Sequence, residues 1–328
     1  MKKLANKLNK KDALALVEAE DFSRTSISFY RYVRLDNVDS LRDKLWIEWT
    51  ELGVLGRIYV SQEGINAQLN VPNHNLEAFR AHVDSIPEFT GVPFKIGVSE
   101  DGISFWKLAI KARKYILADG LPKDSYDVEN VGEHLTASAF NEAIDGGAVV
   151  VDMRNAYESD IGHFDGAILP RAQTFKDELP EVLDTLQGKE DEKVLLYCTG
   201  GIRCEKTSAY LKHHGFKDVN QLHGGIIDYK HQIDREGLKS KYKGANFVFD
   251  GRKPEVITND ILGSCYTCKA PSNTTKDCAN DACHELIVQC EDCGEKLDDC
   301  CSQRCLDIKN LPVEEQIKLR KKSIKEKV

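Results

Sequence analysis

The chain has 328 residues, of which 41% are hydrophobic and 30% charged, and a formal net charge of −8. That length suits two or three domains, and no apolar run approaches the ~20 residues needed to span a membrane. An acidic chain has no global attraction for nucleic acid, so any phosphate binding requires local clusters of cations. The basic stretch from Met1 to Lys11 leads to no apolar core or cleavage site, so a signal peptide is not expected and a cytoplasmic location is.

Residues 1–20 read as an N-terminal arm. Ser26 to Arg34 alternates like a strand, and Val38 to Leu52 has helical spacing at Leu41, Leu45 and Trp49. Gly56 to Val60 and Ile65 to Val71 read as strands joined by Ser61-Gln62-Glu63-Gly64. Leu76 to Ile86 reads as a second helix, and Phe94 to Val98 and Ile103 to Leu117 are strand-rich. The order β-α-β-β-α-β predicts a ferredoxin-like α/β sandwich over residues 21–125. Its basic cluster, Lys107, Lys111, Arg113 and Lys114, fits two roles: a solvated strand edge that resists sheet-to-sheet aggregation, or a phosphate contact.

Residues 126–240 carry the most informative segment. Val194-Leu195-Leu196-Tyr197 is an apolar strand that runs into Cys198-Thr199-Gly200-Gly201-Ile202-Arg203, and an amphipathic helix is expected from Cys204 to His214. A thiol at the end of a buried strand and the N-terminus of a helix is favoured as the thiolate by the helix dipole and by unpaired N–H groups. Gly200 and Gly201 let the backbone curl around the sulfur, and Arg203 adds a permanent cation. A lone buried cysteine is ordinarily structural; the strand–Cys–Gly-Gly–Arg–helix layout points instead to a nucleophilic sulfur. Cys204 is read as packing within its helix rather than bridging to Cys198. Val149 to Asp152 is another buried strand, followed by Arg154, the turn Gly162-His163-Phe164-Asp165-Gly166-Ala167, and later Gly224-Gly225-Ile226. His163-Phe164-Asp165 has the H-x-D spacing of non-haem iron sites but is read as an architectural turn. Gly224-Gly225 lacks the lysine of a phosphate loop, and no flavin or nicotinamide fingerprint is present.

Residues 241–262 read as a linker. Nine of the 11 cysteines fall between Cys265 and Cys305, a clustering that suits a metal module better than a disulfide scaffold. Cys265-x2-Cys268 and Cys290-x2-Cys293 are knuckle-like pairs for one tetrahedral zinc. Cys278, Cys283 or His284, one of Cys300 and Cys301 (Cys300 as the expected ligand), and Cys305 form a second set. The segment 263–310 is poor in large apolar residues, so structural zinc would supply most of its folding energy; disulfides are the competing reading. Residues 311–328 read as a basic helical tail with Lys318, Lys321, Lys322 and Lys325 largely on one face.

The span from about Val131 to Leu238 resembles a rhodanese domain, an α/β fold with a central parallel sheet. The likeness rests on Asp152-x-Arg154, the Gly162-His163-x-x-Gly166-Ala167 turn, the Cys198 loop and Gly224-Gly225-Ile226. It implies that Cys198 carries a persulfide cradled by the N–H groups of its loop. The six-residue loop from Cys198 to Arg203 matches the sulfur-transfer members rather than the related phosphatases, whose loop is longer. Glu63-Gly64-Ile65-Asn66, Phe105-Trp106-Lys107 and Lys111-Ala112-Arg113-Lys114 extend the resemblance over nearly the whole chain, to the oxygen-dependent tRNA uridine hydroxylases. Tyr115 departs from the pattern, standing where an acidic residue is expected. The resemblance implies hydroxylation of the wobble uridine to 5-hydroxyuridine, with molecular oxygen as co-substrate and the tRNA anticodon arm as partner. Cys198 and Arg203 would be catalytic, and Lys107, Lys111, Arg113 and Lys114 would contact tRNA. The alternative is a persulfide-forming sulfurtransferase acting on a small-molecule or protein acceptor. The intact Cys198, Gly200, Gly201 and Arg203 count against a purely non-enzymatic module.

Overall fold

The computed structural model describes residues 4, 6–122, 125–283 and 285–326. It divides into two units: residues up to Ala156 with Gly166–Lys241 and Val248–Arg252, and Tyr157–Asp165 with Tyr242–Phe247 and the chain from Lys253 onward.

In the first unit, the segment expected as an arm contains a short helix, α1 (Lys10–Glu18), whose N-cap Asn9 accepts from the Asp12 N–H. Next come β1 (Arg24–Tyr32), α2 (Val38–Glu51), β2 (Leu55–Ser61), β3 (Gly64–Pro72), α3 (Leu76–Asp84), the two-residue β4 (Lys95–Ile96) and β5 (Leu108–Ala112). The sheet order is β4-β1-β3-β2-β5. Its first four strands are antiparallel, as a β-α-β-β-α-β sandwich requires, and β5 adds to the far edge parallel to β2. Period-two alternation along β1 sends Ile27 and Phe29 into a core with Leu45, Trp49, Phe79 and Val83. The intervening Ser26, Ser28, Tyr30 and Tyr32 therefore line the opposite face. Directly paired residues share a face. One row across the sheet thus runs Lys95–Ser28–Gln68–Arg57, and the next Tyr30–Asn66–Tyr59–Lys111.

A second sheet follows. Its strands are β6 (Glu133–Leu135) and β7 (Val149–Asp152), separated by α4 (Ala137–Asp145), and, after α5 (Ala156–Ser159), β8 (Gly162–Phe164) and α6 (Phe175–Thr185), β9 (Lys193–Tyr197) and β10 (Asp218–Leu222). Helix α7 (Ile202–His213) joins β9 to β10, and α8 (Gly225–Glu236) follows β10. The order β6-β10-β9-β7 is wholly parallel. Val194 to Tyr197 of β9 is buried throughout, as a central parallel strand covered on both faces demands.

In the second unit, β8 pairs with β11 (Tyr242–Asn246), and β11 with β12 (Glu255–Val256). The stretch 241–262 is therefore not a linker but carries two strands. Beyond it lie the hairpin β13 (Thr275–Asp277) and β14 (Leu286–Val288), then α9 (Glu291–Leu297), α10 (Gln303–Lys309) and α11 (Val313–Glu326). Lys318 is exposed on α11; the side chains of Lys321, Lys322 and Lys325, and all of His284, lie outside the described residues. No helix among the described residues is long and apolar enough to cross a membrane.

Candidate active site

Cys198 lies at the carboxyl end of β9, the edge at which parallel α/β sheets present their ligand sites. The turn into α7 passes through Gly201 at φ +98°, a conformation open to glycine without a Cβ penalty. Its N–H donates to Cys198 Sγ at 3.1 Å. Two carbonyls of the loop are drawn the other way. The N–H of Ile226 donates to the Cys198 carbonyl at 3.0 Å and that of Ile227 to the Thr199 carbonyl at 3.2 Å. Gly225 makes this docking possible: at φ +67° a Cβ there would stand 2.5 Å from the Cys198 oxygen and 2.6 Å from that of Thr199. The first turn of α8 thus holds the loop with its carbonyls outward and its N–H groups toward the sulfur.

Burial pushes the Cys198 thiol up. A hydrogen bond from the Cys204 thiol, the Arg203 guanidinium and the N–H groups of Arg203 and Gly201 outweigh it and bring it down to about 5. Cys204 moves the opposite way, raised by burial and then by its neighbour. Both are free thiols. Cys204, expected only to pack, is fully buried beside Cys198 and helps set the ionisation of its sulfur. Arg203 is buried, with Nη2 3.4 Å from Thr199 Oγ1 and the guanidinium 5.8 Å from the Phe249 ring centroid. Beneath the loop, Arg154 pairs with Asp152 through two bonds of 2.9 and 2.7 Å, and Tyr197 donates to the same carboxylate at 2.7 Å, all fully buried. Breaking such a pair costs about 3–5 kcal/mol, so the Asp-x-Arg motif fixes the strand ends that carry Cys198.

Helix α7 also engages the first sheet. Lys206, 2% exposed, reaches Glu63 at 3.1 Å, Asp119 at 3.2 Å and the Leu117 carbonyl at 2.8 Å. Tyr30 donates to Glu205 at 2.8 Å and Tyr32 to the Ile202 carbonyl at 3.3 Å. Glu63 accepts from the Ile116 N–H at 2.6 Å, and Gly64, at φ +136°, leaves no room for a Cβ, which would fall 1.9 Å from the Arg31 oxygen. The Glu63-Gly64-Ile65-Asn66 stretch is therefore part of the joint between the two sheets. Tyr115, at the position where the family pattern suggests an acidic residue, lays its ring 5.3 Å from the Lys206 ammonium.

Between the β1 face and the Cys198 loop lies a pocket of about 700 Å³, counting its open mouth. Cys198, Thr199, Gly200, Ile202 and Arg203 line one side; Ser28, Tyr30, Asn66, Gln68 and Lys95 line the other, with Phe105 and Phe249 as aromatic walls. Sequence reasoning misses Lys95, Ser28 and Phe249. The alternation of Ser26, Ser28, Tyr30 and Tyr32 is a readable signal for one of them, whereas a two-residue strand offers none for Lys95. Burial lowers the Lys95 ammonium to about 8, against the opposing pull of Asp228, Cys198 and Glu205.

The basic residues expected at the tRNA are not gathered at Cys198. Lys107, Lys111, Arg113 and Lys114 are all exposed at or beside β5, the sheet edge farthest from β4. Lys111 does share the pocket's face, and Arg113 lies over the Tyr59 ring at 5.6 Å. Arg252, another cation near the pocket, is bound to Asp250 at 2.8 Å.

In the second unit, His163 Nδ1 is 2.9 Å from the Ser159 carbonyl and Asp165 pairs with Lys243 at 2.9 Å, so both are engaged in holding their turn. The cysteines gather into two sets whose sulfurs lie within 4.8 Å of one another: Cys265, Cys268, Cys290, Cys293, and Cys278, Cys283, Cys301, Cys305. Zn–S bonds of about 2.3 Å in a tetrahedron put sulfurs about 3.8 Å apart. Cys268–Cys290 at 3.6 Å, Cys283–Cys301 at 3.8 Å and Cys301–Cys305 at 3.4 Å fit that edge. Cys300, expected as a ligand, is outside the second set. Its neighbour Cys301 turns toward the cluster and donates its N–H to Cys278 Sγ at 3.3 Å, while the Cys300 carbonyl is held by Gln289 at 2.9 Å.

Residues 24–116 match the UPF0176 acylphosphatase like domain, 136–232 the Rhodanese-like domain and 243–306 the Rhodanase C-terminal family. A tRNA uridine(34) hydroxylase from Leptospira interrogans is 55% identical over 94% of this chain and 85% of its own length. Proteins of the same name from Cronobacter sakazakii and Pectobacterium carotovorum are 44% and 43% identical, each over 97% of this chain and 91% and 90% of their own. With its three matched domains in this order and relatives aligned over 94% or more of its length, the chain belongs to the tRNA uridine(34) hydroxylase family.

Proposed function

We propose that the protein hydroxylates uridine 34 of tRNA to 5-hydroxyuridine in the cytoplasm, with Cys198 as nucleophile and dioxygen as co-substrate. The observation that carries this reading is a cysteine sulfur that accepts the Gly201 N–H and lines a pocket whose other wall is a sheet face. Addition of that sulfur to C6 of the uracil forms an S–C6 bond and moves the C5=C6 pair toward C5 and the O4 carbonyl, which makes C5 electron-rich. One oxygen atom of dioxygen then goes to C5 and the other leaves as water, with two electrons and two protons from a thiol-class reductant that becomes a disulfide; loss of the C5 proton together with departure of the sulfur restores the ring double bond. Arg203 favours the ionised sulfur before it adds and after it departs. The two cysteine sets hold structural zinc, since four thiolates leave no open position for chemistry.

The anticodon arm lies along the sheet face, with Arg57 and Lys111 meeting phosphates. Arg57→Ala combined with Lys111→Ala is expected to weaken tRNA binding and to flatten its salt dependence. Each phosphate left without its cation should reduce the slope by about 0.7–0.9 log units per log unit of salt. Titration of labelled tRNA across a salt series measures it. An unchanged slope removes the sheet face from tRNA binding. A sulfurtransferase using only the Cys198 loop would turn over thiosulfate normally in the double variant and leave tRNA unmodified in the wild type.

A further inference from the structure

We propose that the Lys95–Ser28 row on the first sheet is the base-reading wall of the pocket, with Lys95 Nζ donating to O4 of a flipped uracil and Ser28 Oγ meeting its imide edge. This rests on the function proposed above and names the residues that select the base. Three observations support it. Lys95 and Ser28 are direct cross-strand partners, so their side chains rise from one face side by side. Both hang over the nucleophile's loop: a Cβ built on Gly200 would lie 3.7 Å from Lys95 Cδ and 3.9 Å from Ser28 Oγ. The bare glycine keeps open a gap two residues past Cys198.

Both groups also have capacity to spare. Ser28 Oγ is buried and no protein group hydrogen-bonds to it, whereas buried hydroxyls are as a rule paired. Among the described residues, Lys95 Nζ has no ion-pair or hydrogen-bond partner; it lies 4.4 Å from the Tyr30 ring centroid. The nearby Glu205 is committed to Tyr30, His134 and Gln221, and Asp228 to His223 and Gln232. A half-buried ammonium depressed by desolvation gains from a carbonyl acceptor. The chemistry selects the base: uracil presents the O4 acceptor where cytosine presents an N4 amino donor, which an ammonium cannot accept. Tyr30, Phe105 and Phe249 supply the aromatic faces that flipped bases stack on.

The test is binding of full-length protein to an anticodon stem-loop RNA bearing uridine, cytidine or an abasic site at position 34. Wild type is expected to prefer uridine by about tenfold or more, the worth of one charge-assisted hydrogen bond. Lys95→Met and Ser28→Ala should each erase most of that preference, while Ser28→Ala, which removes a single atom, leaves the rate of Cys198 alkylation by iodoacetamide unchanged. Ser28→Ala decides the matter alone if Lys95→Met does not fold. A full uridine preference in folded Ser28→Ala and Lys95→Met overturns the proposal. Wild type that hydroxylates uridine 34 yet binds the abasic RNA equally well overturns the pocket and leaves the function standing. Wild type that neither hydroxylates uridine 34 nor prefers the uridine RNA overturns both.

Discussion

Cys198→Ser is expected to abolish 5-hydroxyuridine in tRNA, with a rate loss on the order of a thousandfold or more, while the protein melts within a few degrees of wild type. A serine hydroxyl fits the same fully buried site, but it cannot ionise there. The activated state has its own signature in pH. With the thiol brought down to about 5, the thiolate is the majority form above that pH, so iodoacetamide alkylation should be flat from about pH 6 upward and fall only below about pH 5. Taking away one of the groups that stabilise the thiolate reverses part of the shift: Arg203→Ala should move the alkylation midpoint upward, toward the ordinary thiol range of about 8.5. Arg203→Lys should do so less completely, since a flexible point charge does not reproduce a planar guanidinium. A wild-type midpoint near the free-thiol value would mean that the sulfur is not activated.

Metal removal should have the second large effect. Protein purified under reducing conditions is expected to hold two equivalents of zinc, one for each of the two cysteine sets. Chelation should unfold the segment 263–310, because structural zinc contributes about 10–16 kcal/mol to folding in small modules and the second set has only a few apolar neighbours such as Leu297 and Leu306. Single substitutions separate the neighbouring cysteines. Cys301→Ser should lose one equivalent of zinc, and Cys300→Ser should keep both. Metal analysis by mass spectrometry reads the count. A metal-free protein with an ordered segment, or a Cys300→Ser variant that loses zinc as Cys301→Ser does, would contradict the assignment.

Much of this architecture is legible in local patterns. Leu45 and Trp49 at helical spacing, and Ile27 and Phe29 at strand spacing, point to the sandwich core they occupy. The run into Cys198 and two glycines marks the sulfur loop, because few other functions require a thiol at that corner. The parts that local patterns do not reveal depend on distant pairing. Lys95 belongs to a two-residue strand with no periodicity, and its importance comes from register with Ser28. The stretch 241–262 reads as a linker because β11 is a five-residue strand with a glycine in it, and β12 has only two residues. Cys300 and Cys301 cannot be told apart by spacing, since adjacent residues point different ways and only the fold around Cys278 decides between them. The basic cluster on β5 is contiguous in sequence and therefore conspicuous, yet strand order puts it at the opposite edge from Lys95.

The most direct measurement gives purified protein an unmodified tRNA and a thiol reductant under dioxygen enriched in heavy oxygen, then identifies the nucleoside at position 34 by mass spectrometry. Wild type should yield 5-hydroxyuridine that carries the heavy isotope, and Cys198→Ser should yield unmodified uridine. Hydroxyuridine without the isotope, its formation by Cys198→Ser, or a sulfur-containing nucleoside in its place would contradict a cysteine-dependent, dioxygen-consuming hydroxylation.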